Sequence, residues 1–331
     1  MKKPFIAAGL AALVVIVAAG HEFVIASGIS QRFPPPGELV DIDGRKLQIE
    51  CRGNGSPVVV LETGGQGIFG AYEWGGSFDG IAETTRVCAY SRAGYMWSDS
   101  NPDADAESGA RDLHAALSLA GEQPPYVLVG HSRGSFTLLI FADLFGADVA
   151  GLVFLDPTHP DMRARKAAAG VRQTELLLGS VRLLRALRWT GLPRLYGDAC
   201  ELDYLSAQQV ATCKAWLPHS LDGIVSENSR YDSSAARARQ VSDLGERPVL
   251  VLTRQWNEAW YNEDAAIRAA QRKEEELWRE MNADVAALST RGEQRFVPDS
   301  THASLMTRPA AMLAVIDEMI GRLRSQAASG Y

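Results

Sequence analysis

The feature that most constrains this chain is a series of short apolar runs, almost without a polar residue, recurring between helical patterns. Val58-Val59-Val60-Leu61, Tyr126-Val127-Leu128-Val129 and Val249-Leu250-Val251-Leu252 are examples. A half-exposed strand alternates apolar with polar residues. A strand lacking that alternation is buried on both faces, as in a parallel sheet covered by helices. Eight β-like runs span residues 38–43, 46–51, 57–62, 85–90, 126–130, 150–155, 247–252 and 294–298. Helical patterns lie at 106–120, 134–144, 263–288 and 308–323. The first two runs meet at Asp43-Gly44, a hairpin signal, and the later alternation predicts a three-layer α/β domain. Residues 161–242 interrupt the rhythm with apolar clusters such as Leu176-Leu177-Leu178 and no clear strand. They are expected to form a helical cap over the C-terminal edge of the sheet, inserted between core parts 38–160 and 243–326.

The N-terminus is different in kind. Lys2 and Lys3 precede an uncharged apolar run from Phe5 to Gly20, which His21 and Glu22 interrupt before Phe23-Val24-Ile25-Ala26 resumes it. Residues 1–28 therefore read either as a signal peptide, with small residues Ala18-Ala19-Gly20 to cut at, or as a transmembrane anchor. Both readings export the rest of the chain, to the membrane surface or the periplasm or medium. Residues 29–37, with Pro34-Pro35-Pro36, read as a semi-rigid spacer. Cys51, Cys88, Cys200 and Cys213 are an even set in an oxidising compartment, with three pairings open. The 331 residues carry 33 basic and 40 acidic side chains, a formal charge of −7, which excludes a basic nucleic-acid binder. The 46% hydrophobic content excludes a disordered chain.

The chemistry concentrates at Gly130-His131-Ser132-Arg133-Gly134, between an apolar run and a helical pattern. G-x-S-x-G in that setting is a nucleophile elbow: a turn so sharp that the serine Oγ is presented at a helix N-terminus. Ser132 needs a base. Of the six histidines, His302 follows the last β-like run and is placed to swing back over the sheet. The acid that orients it is Asp156, at the end of the run beside the nucleophile's, or alternatively Glu258, since Asn257 stands where an aspartate is common. The oxyanion donors are the backbone N–H of Arg133 and that of Gly65, with Gly64 as neighbour, in the loop Thr63-Gly64-Gly65-Gln66-Gly67. No cofactor or metal motif is present; the loop lacks the Lys-Ser/Thr of a phosphate cradle.

These motifs, with Cys51-Arg52-Gly53-Asn54-Gly55-Ser56-Pro57, Tyr90-Ser91-Arg92-Ala93-Gly94-Tyr95 and Trp97-Ser98-Asp99, resemble the α/β-hydrolase superfamily, in a bacterial subfamily with an N-terminal hydrophobic helix. The resemblance covers about residues 38–321. It implies an eight-stranded, mostly parallel sheet and the chain order nucleophile, acid, histidine, which Ser132, Asp156 and His302 follow. It also implies that Cys51 and Cys88 lie on neighbouring strands and can bridge, leaving Cys200–Cys213 to staple the cap. Ser91, Met96, Arg133 and Ser135 depart from the family pattern. Glu62 and Arg92, at adjacent strand ends, either pair beneath the glycine loop or stay solvated. The expected function is a serine hydrolase cleaving an ester or related acyl bond of a small, apolar substrate. A peptidase, a thioesterase or a non-catalytic ligand-binding protein of the same fold are the alternatives. Dehalogenase or epoxide hydrolase chemistry would want an aspartate at position 132.

Overall fold

In the computed structural model, which describes residues 2–65, 67–171, 178–307 and 309–329, the apolar runs form one eight-stranded sheet. The strands are β1 (Glu38–Ile42), β2 (Arg45–Arg52), β3 (Val58–Glu62), β4 (Val87–Ser91), β5 (Tyr126–His131), β6 (Val149–Leu155), β7 (Val249–Gln255) and β8 (Gly292–Pro298). Their order is β1-β2-β4-β3-β5-β6-β7-β8. β2 runs antiparallel to both its neighbours, and every other pair is parallel. Asp43 and Gly44 join β1 to β2 with φ of 52° and 84°, the two positive values that a tight hairpin matching the strand twist requires.

Each central strand feeds two cores, because successive side chains leave a strand on opposite faces. Val58, Val60, Leu128, Leu152, Phe154, Val249 and Val251 face one cluster, packed on helices Ala106–Leu119 and Gly134–Leu144. Val59, Leu61, Val127, Val129, Val153, Leu155, Leu250 and Leu252 face the other, packed on helices Gly75–Thr84 and Pro309–Ala328. Fully burying one such side chain is worth about 1.5–3 kcal/mol, and a one-residue slip of a central strand would send every side chain to the opposite cluster and unpack both.

The cap segment contains helices Met162–Ala168, Leu178–Ala186, Ala207–Ser229 and Tyr231–Ala238, with 3-10 turns between them. The last helix does not belong with the others. Tyr231, Ala235 and Ala238 are buried in the sheet-side core, and Tyr231 meets Phe136 edge-on at 5.7 Å. The end of the segment expected as cap, residues 231–238, thus packs through a Tyr-Ala-Ala stripe on the Gly134–Leu144 helix. A separate cluster seats the long cap helix, with Cys213, Leu217, Leu221 and Ile224 against Ile68 and Tyr95. Gln66, residues 172–177 (with Leu176 and Leu177) and Arg308 lie outside the described residues.

Two disulfides staple this frame. Cys51 and Cys88 are directly paired across antiparallel β2 and β4, with Cα atoms 4.1 Å apart. Cys200 and Cys213 join the Leu192–Cys200 turn to the long cap helix. The N-terminal helix Lys2–Ser27 rests on the cap through Glu22, which is buried and bound by Arg194 at 2.6 and 2.8 Å. The proline segment is also docked on the protein, since the Phe33 carbonyl accepts from Trp97 Nε1 at 2.9 Å and Trp216 Nε1 at 3.2 Å. Among the described residues no helix is long and apolar enough to cross a membrane.

Candidate active site

β5 delivers the chain into helix Gly134–Leu144 through Ser132 and Arg133. Ser132 takes φ 51°, a left-handed conformation that costs a non-glycine residue energy. The turn is tight enough to specify its neighbours. A Cβ on Gly130 would lie 2.6 Å from Leu138 Cδ1, and one on Gly134 would lie 2.5 Å from the Thr63 carbonyl O. The Ser132 backbone is held on both sides, donating to the Leu155 carbonyl at 3.0 Å and accepting from Thr158 N–H at 3.0 Å.

Two further strand ends meet Ser132. His302, in the loop after β8, places Nε2 2.8 Å from Ser132 Oγ and Nδ1 2.6 Å from Asp156 Oδ2. Asp156 ends β6 at φ 47° and is fully buried. Its carboxylate accepts from Trp278 Nε1 at 2.8 Å and from Arg254 Nη1 at 2.6 Å as well as from His302. Burial alone would raise its pKa. The His302 hydrogen bond and the Arg254 guanidinium outweigh burial and hold the carboxyl at about 2. It is therefore an anion at neutral pH, and an anion at Nδ1 selects the tautomer whose Nε2 lone pair faces Ser132. Glu275 balances Arg254 at 2.7 Å.

Glu258, the alternative acid, is elsewhere. It begins the exposed turn Glu258–Trp260 and is bound by Arg272 at 2.5 Å, while the imidazole already holds Asp156. Asn257 caps that turn, accepting from Ala259 N–H at 2.9 Å. Three contributors were not foreseen: Arg254 and Trp278, which brace Asp156, and His131, whose buried Nε2 donates to the His302 carbonyl O at 3.0 Å. Burial, with His302 nearby, pushes His131 down to about 3, so it is neutral. A usable signal existed only for Arg254, a cation at the end of an apolar run, which demands a buried anion.

The glycine loop lies against the elbow. A Cβ on Gly64 would be 3.4 Å from Ser132 Cβ, and one on Gly65 would be 3.0 Å from the Arg133 guanidinium. Arg133 starts the helix, so its N–H is among the donors that a helix leaves unpaired. Beneath the loop Glu62 and Arg92 do pair, at 2.5 Å. Of the family departures, Ser91 donates to Gln48 Oε1 at 2.7 Å, Ser135 donates to the Thr158 carbonyl O at 2.9 Å, and Met96 adopts φ 47° where a glycine is common. Cys51, Cys88 and Glu122 are close enough to share an ion, but the sulfurs are bonded to each other and offer no thiolate.

The sequence model described as "Alpha/beta hydrolase family" matches residues 58–315, most of the chain. The protein belongs to the alpha/beta hydrolase family. As an α/β hydrolase it is 26% identical over 167 residues to the uncharacterized protein YbdG of Bacillus subtilis (strain 168), a match covering 49% of this chain and 51% of that one. The chain thus spans about half the length of that relative. Among solved structures, a thermophilic esterase from Thermogutta terrifontis superposes with a TM-score of 0.58 at 21% identity, covering 86% of this chain and 97% of that one. The haloalkane dehalogenase DatA from Agrobacterium tumefaciens C58 superposes with a TM-score of 0.58 at 17% identity, over 89% and 99% of the two chains. At these identities the likeness concerns the α/β-hydrolase fold. The family supports hydrolase chemistry, and the two neighbours are named for different reactions on the same scaffold.

Proposed function

We propose that this α/β hydrolase is a serine hydrolase acting on an ester or related acyl bond through an acyl-enzyme. The observation that carries the reading is the unbroken hydrogen-bonded chain Asp156–His302–Ser132. Ser132 Oγ attacks the acyl carbon while His302 Nε2 takes its proton. Asp156 stabilises the resulting imidazolium without itself being protonated. The Arg133 and Gly65 N–H groups receive the oxyanion. His302 then returns the proton to the leaving group, and a water activated by the same imidazole releases the acid. Serine rather than aspartate at the elbow argues against the alkyl-enzyme chemistry of dehalogenases.

A fluorophosphonate probe tests this reading. Folded wild type is expected to be labelled and the Ser132→Ala variant is not; an unlabelled wild type overturns it. Export to a membrane surface is part of the same proposal. Two disulfides support the oxidising side, and exposed Val14, Ile16, Phe23 and Val24 on the N-terminal helix support a lipid contact. Sedimentation with the membrane fraction is the expected result, and recovery in the soluble fraction overturns it.

A further inference from the structure

Two successive peptide units of the glycine loop are gripped by side chains. Arg92 Nη1 donates to the Thr63 carbonyl O at 2.7 Å, and Arg92 Nη2 donates to the Gly64 carbonyl O at 2.7 Å. In a trans peptide the C=O and the N–H point in opposite directions. A Gly64 carbonyl turned down onto Arg92 therefore turns the Gly65 N–H up and away from it, on a loop that lies against Ser132.

The guanidinium is itself fully committed. Its Nη1 reaches Glu62 Oε1 at 2.5 Å as well as Thr63, its Nε reaches Glu227 Oε1 at 2.5 Å, and its Nη2 reaches Glu227 Oε2 at 3.2 Å as well as Gly64. Five donors in a rigid fork thus meet acceptors on β3, on the loop and on the cap, so the plane has one orientation. Glu227 is on the long cap helix Ala207–Ser229, and its Oε2 also accepts from Tyr95 OH at 2.9 Å and from Arg133 Nη2 at 2.9 Å. The half-buried Glu227 carboxylate thus links the cap, through Arg92, to the oxyanion loop.

We propose that Arg92 is a positioning residue that aims the Gly65 N–H at the oxyanion, and that Glu227 makes this aim depend on the seating of the cap. The proposal rests on the serine hydrolase reading. Its consequence is that a loosened cap lowers turnover without a change at Ser132, His302 or Asp156. Removing an oxyanion donor outright costs about 10²–10³ in kcat. Misaiming it costs less, roughly 30-fold for Arg92→Gln and roughly tenfold for Glu227→Gln on that scale, with KM little changed.

The test compares p-nitrophenyl butyrate with its thionoester analogue in wild type, Arg92→Gln, Arg92→Lys and Glu227→Gln, each checked for native circular dichroism and melting. Sulfur accepts hydrogen bonds poorly, so an aimed N–H favours the oxygen ester, and intrinsic reactivity cancels between variants. The expected result is a preference for the oxygen ester that shrinks several-fold in Arg92→Gln and Glu227→Gln, with partial recovery in Arg92→Lys. An unchanged preference in folded variants, including equal loss on both esters, overturns the assignment and leaves Arg92 as scaffold. A wild type inert toward both esters and the fluorophosphonate overturns the serine hydrolase reading itself, and this proposal with it.

Discussion

Replacing Asp156 by Asn probes the site where geometry and electrostatics make the same demand. The carboxylate accepts from His302 Nδ1, Arg254 Nη1, the Arg254 backbone N–H and Trp278 Nε1. An amide has one oxygen for these donors. With its NH2 toward His302 and Arg254 Nη1, it makes Nδ1 an acceptor and moves the imidazole proton to Nε2, where it blocks proton uptake from Ser132. The expected loss in kcat is about 10³–10⁴. Stability changes separately. A carboxyl held at about 2 instead of 3.8 contributes about 2.5 kcal/mol at neutral pH, at roughly 1.4 kcal/mol per pH unit. Because the folded pKa is depressed, this contribution is complete above pH 3.8 and is lost as pH falls toward 2. Kinetics on p-nitrophenyl esters and urea unfolding at pH 7, 4 and 2 measure both effects. If folded Asp156→Asn stays within tenfold of wild-type kcat, or if the stability gap survives unchanged at pH 2, the reasoning fails.

Glu258→Gln removes only an exposed pair with Arg272, so kcat/KM is expected to stay within twofold of wild type; a tenfold loss would return Glu258 to the site. Unreduced, denatured protein is expected to show no thiol reactive to Ellman's reagent, and reduced protein four. From chain separations of 37 and 13 residues, loop-closure entropy assigns about 4 kcal/mol to Cys51–Cys88 and about 3 kcal/mol to Cys200–Cys213, so the Cys51→Ser/Cys88→Ser variant should show the larger loss in urea unfolding. Glu22→Ala breaks the ion pair with Arg194 at a local cost of about 2 kcal/mol; faster amide exchange confined to residues 188–200 and 215–219 is the expected signature, and unchanged exchange would refute it.

The strands were legible because a doubly covered parallel strand is the least ambiguous pattern a sequence offers. The eight apolar runs correspond to β1–β8 within three residues at each end. The helix Gly75–Thr84 escaped notice for the opposite reason: Gly75, Gly76 and Gly80 dilute its pattern, and its seat comes from Trp74, Phe78 and Ile81, one residue per turn. In the site, Ser132, Asp156 and His302 could be named because each terminates a recognisable strand or follows one. The partners of the residues that brace them could not, even where, as at Arg254, a cation ending an apolar run signals a buried anion. Arg254 reaches Asp156 across 98 positions and Glu227 reaches Arg92 across 135, and no local periodicity encodes such a pairing. The Glu62–Arg92 pair stayed open because the same two residues at strand ends are compatible with solvent, and burial decides between the outcomes.

The left-handed residues Ser132 and Asp156 have a consequence for engineering. With Asp299, also at positive φ, they put unfavourable backbone conformations at the carboxyl ends of β5, β6 and β8, the edge that holds the candidate chemistry. Each costs on the order of 1–3 kcal/mol, and at positions 132 and 156 glycine would relieve it only by removing a side chain of the proposed triad. Thermal robustness therefore has to be gained away from this rim. Asp299 is the one position of the three where glycine could release backbone energy, and there it would forfeit the Asn257 hydrogen bond that ties the histidine loop to the turn after β7.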